Sequence, residues 1–298
     1  MKTEICGAYT ALVTPFDADG KLDEAGLRKN IQFQIANGID GIVALGTTGE
    51  APTLTQAEKK RVTHIAREET HGKCHCMVGT GSYSTQQTIE NTLAAQDAGV
   101  DSALVVTPYY NRPTQEGLYQ HFSTLAKAVK LPIVIYNIQG RTGQNLHTET
   151  LKRLAVIDNI VGVKEASGNI NQMMEVIENI LPIRPDFSVM SGDDALTYPL
   201  ITLGGHGIYS VLGNLFPRQI KDLCDAALRG NYIQAREMHY KLLPYMRSIF
   251  IETNPIPIKA AMNSAGHAAG SCRLPLYEMS KENFEKMNYI LTKNTSLK

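Results

Sequence analysis

Apolar residues along this chain gather into short, β-branched runs separated by longer stretches with helical periodicity. The runs are Tyr9-Thr10-Ala11-Leu12-Val13, Gly41-Ile42-Val43-Ala44-Leu45, Cys76-Met77-Val78-Gly79 and Ala103-Leu104-Val105-Val106. They continue with Ile133-Val134-Ile135-Tyr136, Ile160-Val161-Gly162-Val163-Lys164, Phe187-Ser188-Val189-Met190 and Gly207-Ile208-Tyr209-Ser210-Val211. They recur roughly every 30 residues, the size of a strand-plus-helix unit. Little alternation within them is the mark of strands covered on both faces in a parallel sheet. Between the runs, Leu118, Phe122, Leu125 and Val129 share one helical face. Thr55 with Glu58, and Ser84 with Gln87, have the spacing of capping boxes. Asn37-Gly38-Ile39-Asp40-Gly41 and Ala98-Gly99-Val100-Asp101-Ser102 each place a Gly where a helix would end before a strand.

Eight strands, each followed by a helix, predict an α/β fold of the (β/α)8 TIM-barrel type. An open doubly wound sheet is the competing architecture, but no Gly-x-Gly-x-x-Gly pattern follows the first strand. After about Phe216 the pattern turns purely helical, with Asn254-Pro255-Ile256-Pro257-Ile258-Lys259 as an interruption and Ser280 to Thr292 as the last helix. That tail exceeds what one barrel needs. The expected division is therefore a catalytic barrel domain over 1–225 and a C-terminal helical extension over 226–298.

Charge narrows the partners. Lys+Arg and Asp+Glu both number 29, and charged residues are 19% against 43% hydrophobic, a globular balance without the basic surplus of a nucleic-acid binder. No apolar run approaches the ~20 residues needed to cross a bilayer, and Met1-Lys2-Thr3-Glu4 is followed by no secretory apolar stretch. Cys6, Cys74, Cys76, Cys224 and Cys272 are odd in number and scattered, so free thiols in a reducing cytoplasm are expected. On a strand, Cys74 and Cys76 would face one way and His75 the other, and no second ligand pair has zinc spacing, so no metal site is expected.

Reactive groups of such barrels stand at the C-terminal ends of the strands. Lys164 and Gly162 fall on one face of the sixth strand. If that face is the interior, Gly162 leaves room beside an amine whose burial favours the neutral, nucleophilic form. A lysine snorkelling from a strand end to water is equally open on residue type alone. Tyr136 would hold its phenol at the barrel mouth, as a proton carrier or as a ring with a wet hydroxyl. Thr47 and Thr48, between Gly46 and Gly49, offer hydroxyls and close N–H groups for a small carboxylate, or make a plain turn. Arg141 could clamp a carboxylate or pair with a rim Glu. Asp193-Asp194 is a single acidic pair, more commonly solvated or capping than metal-binding.

In order along the chain, Gly46-Thr47-Thr48-Gly49-Glu50, Tyr109-Tyr110, Tyr136-Asn137, Arg141-Thr142-Gly143, Gly162-Val163-Lys164-Glu165-Ala166-Ser167, Ser191-Gly192-Asp193-Asp194 and Asn254 to Lys259 resemble one family. It is that of the Schiff-base aldolases of the dihydrodipicolinate synthase and N-acetylneuraminate lyase type. The second Thr at 48, Arg141 and the Lys-Glu-Ala-Ser segment look like the synthase branch. The resemblance implies condensation of pyruvate with L-aspartate 4-semialdehyde to 4-hydroxy-tetrahydrodipicolinate in lysine and diaminopimelate biosynthesis. It implies Lys164 as the imine-forming nucleophile and Tyr136 as the proton donor and acceptor, linked to solvent by Thr47 and by Tyr110 from a neighbouring subunit. Thr48 would hold the pyruvate carboxylate, Arg141 the semialdehyde carboxylate, and Gly192 and Tyr209 would line the substrate site. No metal or organic cofactor is implied, and the assembly would be a homotetramer built as a dimer of dimers.

Some positions depart from the family pattern. Tyr209 stands where relatives usually carry a branched aliphatic, and Gln139 where a Pro is common. Lysine-sensitive bacterial relatives place His at the positions of Gln56 and Lys59, and Asn and Glu at those of Tyr83 and Gln87. A lost carboxylate and a gained ammonium would repel a cationic effector. Two other readings remain at this point: a lyase acting on a longer keto acid such as sialic acid, and a non-catalytic barrel.

Overall fold

The computed structural model describes residues 5–293; the N-terminal tetrapeptide read above for a leader lies outside them. Eight strands, β1 (Gly7–Ala11), β2 (Gly41–Ala44), β3 (His75–Gly79), β4 (Ser102–Val106), β5 (Ile133–Asn137), β6 (Ile160–Glu165), β7 (Ser188–Ser191) and β8 (Gly207–Ser210), close into a barrel in sequence order. Every pairing is parallel, including β8 with β1. Around it run α1 (Glu24–Ala36), α2 (Gln56–Thr70), α3 (Thr85–Asp97), α4 (Gln115–Ala128), α5 (Gln139–Thr142), α6 (Thr148–Ala155), α7 (Ile170–Ile180), α8 (Thr197–Thr202) and α9 (Pro217–Leu228). The chain then adds α10 (Tyr232–Ser248), α11 (Ile256–Ser264) and α12 (Lys281–Lys293). No helix among the described residues is long and apolar enough to cross a membrane.

The two-sided burial inferred from the unbroken apolar runs is visible residue by residue. Ile42, Ala44, Ala103, Val105, Ile133, Ile135, Val163 and Ile208 pack outward under the helices. Val43, Met77, Leu104, Val134, Tyr136, Met190 and Tyr209 point inward with Tyr9. Large and small residues complement each other inside: a Cβ at Gly41 would lie 2.3 Å from the Tyr9 ring. None of the five cysteines is in a disulfide among the described residues.

Several local expectations need correction. The first strand begins two residues earlier than its β-branched run, at Gly7, and Val13 has left the ladder, donating its N–H to Asn214 Oδ1 at 3.1 Å. Thr55 and Glu58 form a full capping box, but at Ser84 only half exists. The Gln87 amide turns to Glu90 and Asn91 instead of back to the cap. The Asn254–Lys259 interruption is short, because Ile256 already opens α11 with Pro257 in its first turn, where a missing N–H costs nothing. Residues 225 and 226 both fall inside α9, which packs on β1 and β8 as the eighth barrel helix.

Candidate active site

Strand β6 carries Lys164 at its C-terminal end, pointing into the barrel and buried. Its Nζ lies 4.2 Å from the centre of the Tyr136 ring and 5.5 Å from that of Tyr209. Burial pulls the ammonium down to about 7; the Asp194 carboxylate opposes the fall and Arg141 adds to it. From an ordinary value of 10.5, roughly one amine in three thousand is neutral at pH 7, whereas at about 7 roughly half are. Desolvation therefore outweighs the favourable aromatic faces and the carboxylate, and the lysine does not snorkel to water.

The room for this side chain does not come from Gly162. A Cβ there would meet Ser188 of β7, 2.7 Å from its carbonyl oxygen, so Gly162 serves the approach of two strands. Gly192, just beyond β7, is the residue that makes way for the lysine. A Cβ at Gly192 would sit 2.9 Å from Lys164 Cε and 2.6 Å from Ala166 Cβ.

Tyr136, at the end of β5, is buried with its ring in the barrel interior, and burial raises its phenol above the ordinary value. A side-chain hydrogen bond with Thr47 and the charge of Arg141 work against that rise. The phenol thus stays protonated at neutral pH and is joined to a hydroxyl that can pass a proton on. Thr47, Tyr136 and Arg141 line a cavity of about 880 Å³ at the C-terminal end of the barrel, with Asn254 beside them. Lys164 is not among the residues lining this cavity; it pairs in register with Tyr136 on the neighbouring strand, its Nζ against the Tyr136 ring.

The turn after β2 is shaped by unusual backbone. Leu45 and Glu50 have φ of 57° and 50°, bracketing the two threonines. Glu50 is held there by a buried ion pair with Lys259 of α11, Nζ to Oε1 2.8 Å, and by the N–H of Arg273 at 2.8 Å. Thr48 is buried, and its hydroxyl accepts from Asn254 Nδ2 at 3.0 Å. Arg141, on the one-turn helix α5, pairs with no carboxylate among the described residues; its Nη2 donates to the Asn254 carbonyl at 3.0 Å. Tyr110 is not brought to this cluster. It is 92% exposed, with φ 71°, on the loop after β4.

Two contributors were not legible as such in the sequence. Asp193 caps a short turn, but Asp194 is fully buried and accepts from the Ser210 hydroxyl and the Val211 N–H. Burial lifts its carboxyl to about 6. Asn254 reads in the sequence only as part of a helix break; nothing local indicates that it meets a turn 206 residues away. Among the described residues, no group of three or more His, Cys, Asp or Glu is placed to hold a metal ion.

The profile of the Dihydrodipicolinate synthetase family matches residues 4–294. The chain belongs to this family. It is 57% identical over 285 residues to the 4-hydroxy-tetrahydrodipicolinate synthase of Protochlamydia amoebophila, covering 96% of this chain and 95% of that one. Among solved structures, the dihydrodipicolinate synthase of Thermotoga maritima is 40% identical with a TM-score of 0.96, covering 99% of this chain and 100% of its own. The Acinetobacter baumannii dihydrodipicolinate synthase, solved with pyruvate, is 40% identical with a TM-score of 0.93, covering 96% and 98%.

The departures from the family pattern take definite places. The Tyr209 ring finds its space inside the barrel, edge-on to Tyr9 at 5.4 Å, with its hydroxyl buried and without a hydrogen-bond partner among the described residues. Gln139 opens α5, where a Pro would also fit because the N–H at that position has no helical acceptor. Gln56, Lys59 and Tyr109 line the outer part of the cavity, and Tyr83 packs edge-on to Tyr109 at 5.6 Å. Lys59 is half-buried, and desolvation alone lowers its ammonium. A second ammonium entering beside it would be repelled. Lysine inhibition is therefore expected to be weak or absent; half-inhibition at sub-millimolar lysine in a steady-state assay would contradict this.

Proposed function

We propose that the amine of Lys164, buried against the Tyr136 ring, is the nucleophile of a pyruvate-dependent lyase that condenses pyruvate with L-aspartate 4-semialdehyde. The product is 4-hydroxy-tetrahydrodipicolinate, on the route to diaminopimelate and lysine. The observation that carries the reading is the burial of Lys164 at a barrel strand end, which leaves a large neutral fraction at neutral pH. The pyruvate found in the Acinetobacter baumannii relative supports the first substrate.

The neutral amine attacks the pyruvate ketone carbon, and Tyr136 gives the proton with which the oxygen leaves as water. Loss of a methyl proton turns the imine into an enamine, whose methylene carbon attacks the aldehyde. The amino group of the semialdehyde then displaces Lys164 from the imine carbon, closing the ring and freeing the lysine. Thr47 relays protons to Tyr136, and Tyr110 of a second copy completes the relay. A tyrosine standing 92% exposed on strained backbone supports a role across an interface. Thr48 and the N–H groups of its turn hold the pyruvate carboxylate, Arg141 holds that of the semialdehyde, and Gly192 and Tyr209 bound the lysine's chamber.

On this reading the protein works in the cytoplasm as a homotetramer, a dimer of dimers. The barrel over 1–225 with the rest of α9 is its catalytic unit and the following helices are its extension. The choice of aldehyde tests the assignment. Pyruvate is expected to be consumed with aspartate semialdehyde, and incubation with sialic acid is expected to release none. The reverse pattern would favour cleavage of a longer keto acid such as sialic acid.

A further inference from the structure

We propose that Asn254, supplied by the C-terminal extension, is a positioning residue that fixes the direction of the Thr48 hydroxyl. Its side chain makes Thr48 a donor toward the first substrate's carboxylate, while its backbone carbonyl orients Arg141 for the second's. The inference rests on the roles given above to Thr48 and Arg141.

A threonine hydroxyl has one proton and two lone pairs and rotates to suit its neighbours. Here Asn254 Nδ2 donates to Thr48 Oγ1 at 3.0 Å, with both residues buried. One lone pair is thereby occupied, and the hydroxyl proton must point away from Asn254, leaving it for an anionic acceptor. The same residue's carbonyl receives Arg141 Nη2 at 3.0 Å, which anchors one edge of the guanidinium and leaves the other donors for a carboxylate. One residue therefore touches the two groups assigned to the two substrates.

Its placement is itself secured. Five residues later, in α11, Lys259 forms the buried ion pair with Glu50 and donates to the Ser271 carbonyl at 2.8 Å. The extension thus grips the threonine turn at both Thr48 and Glu50. Asn254 Oδ1 is buried and has no hydrogen-bond partner among the described residues.

The test compares Asn254→Ala and Asn254→Asp, each alone and with Thr48→Val, by KM for each substrate, kcat and Tm. Asn254→Ala is expected to raise the pyruvate KM about fivefold. Asn254→Asp, which keeps the shape but must accept the Thr48 proton, is expected to raise it about tenfold or more. The semialdehyde KM should move less than threefold, because the bond to Arg141 is made by the backbone. In the Thr48→Val background Asn254→Ala should change the pyruvate KM less than twofold. The proposal is overturned if Thr48→Val raises the pyruvate KM while neither Asn254 variant does, a result that would also fit the opposite amide orientation. It is equally overturned if Asn254→Ala has the same effect in both backgrounds. If Thr48→Val leaves the pyruvate KM unchanged, the role given to Thr48 falls, and this inference with it.

Discussion

Lys164→Arg is expected to lose turnover by at least about 10³-fold and to form no pyruvate adduct. Arginine keeps the positive charge and much of the length, so a purely electrostatic role for residue 164 would survive the change. A nucleophilic role would not, because a guanidinium does not give up its proton in a protein. In the unaltered protein the same group sets a pH dependence. Its amine is pulled down to about 7 by burial, so the neutral fraction grows tenfold per unit below that value and levels off above it. The kcat/KM for pyruvate should rise through about pH 7 and plateau by about pH 8 to 9. A profile still climbing at pH 10 would mean that the lysine has its ordinary affinity for protons and that its burial is not functional.

Tyr136→Phe is expected to lower kcat by about 10²–10⁴-fold, the range of general acid–base catalysis, with the pyruvate KM within about threefold. The ring remains over Lys164, at 4.2 Å from Nζ, so the chamber around the amine is preserved. What disappears is the phenolic proton and its hydrogen bond with Thr47. Borohydride should still trap an adduct in this variant, more slowly, because the amine remains while its proton donor is gone. A loss of less than threefold would remove Tyr136 from the proton pathway.

The helix-covered parallel sheet was legible because its strands are largely apolar on both faces; its closure into a barrel rested on the count of eight units and on the missing Gly-x-Gly-x-x-Gly pattern. The placement of Lys164, Tyr136, Thr47 and Arg141 at the C-terminal end of the barrel was legible because strand ends are where a barrel can expose chemistry. Partners distant in sequence were not. Gly162 stands two residues from Lys164 in the sequence yet serves strand pairing, whereas Gly192, from a separate motif after β7, is the one that admits the lysine. Asp193 and Asp194 are identical in type, yet one caps a turn and the other is buried against Ser210. Asn254 and Lys259 act on a turn more than 200 residues away, and no local periodicity encodes such a contact. Tyr209 stands where relatives usually carry a branched aliphatic, and its larger ring is accommodated against Tyr9, inside the barrel.

The central claim is that Lys164 bonds covalently to pyruvate. Incubation with pyruvate, reduction by borohydride and mass spectrometry of the digested protein addresses it in one step. The expected result is a single pyruvate-derived adduct on the peptide carrying Lys164, absent from Lys164→Arg. No adduct, or one on another lysine with Lys164 unmodified, would contradict it.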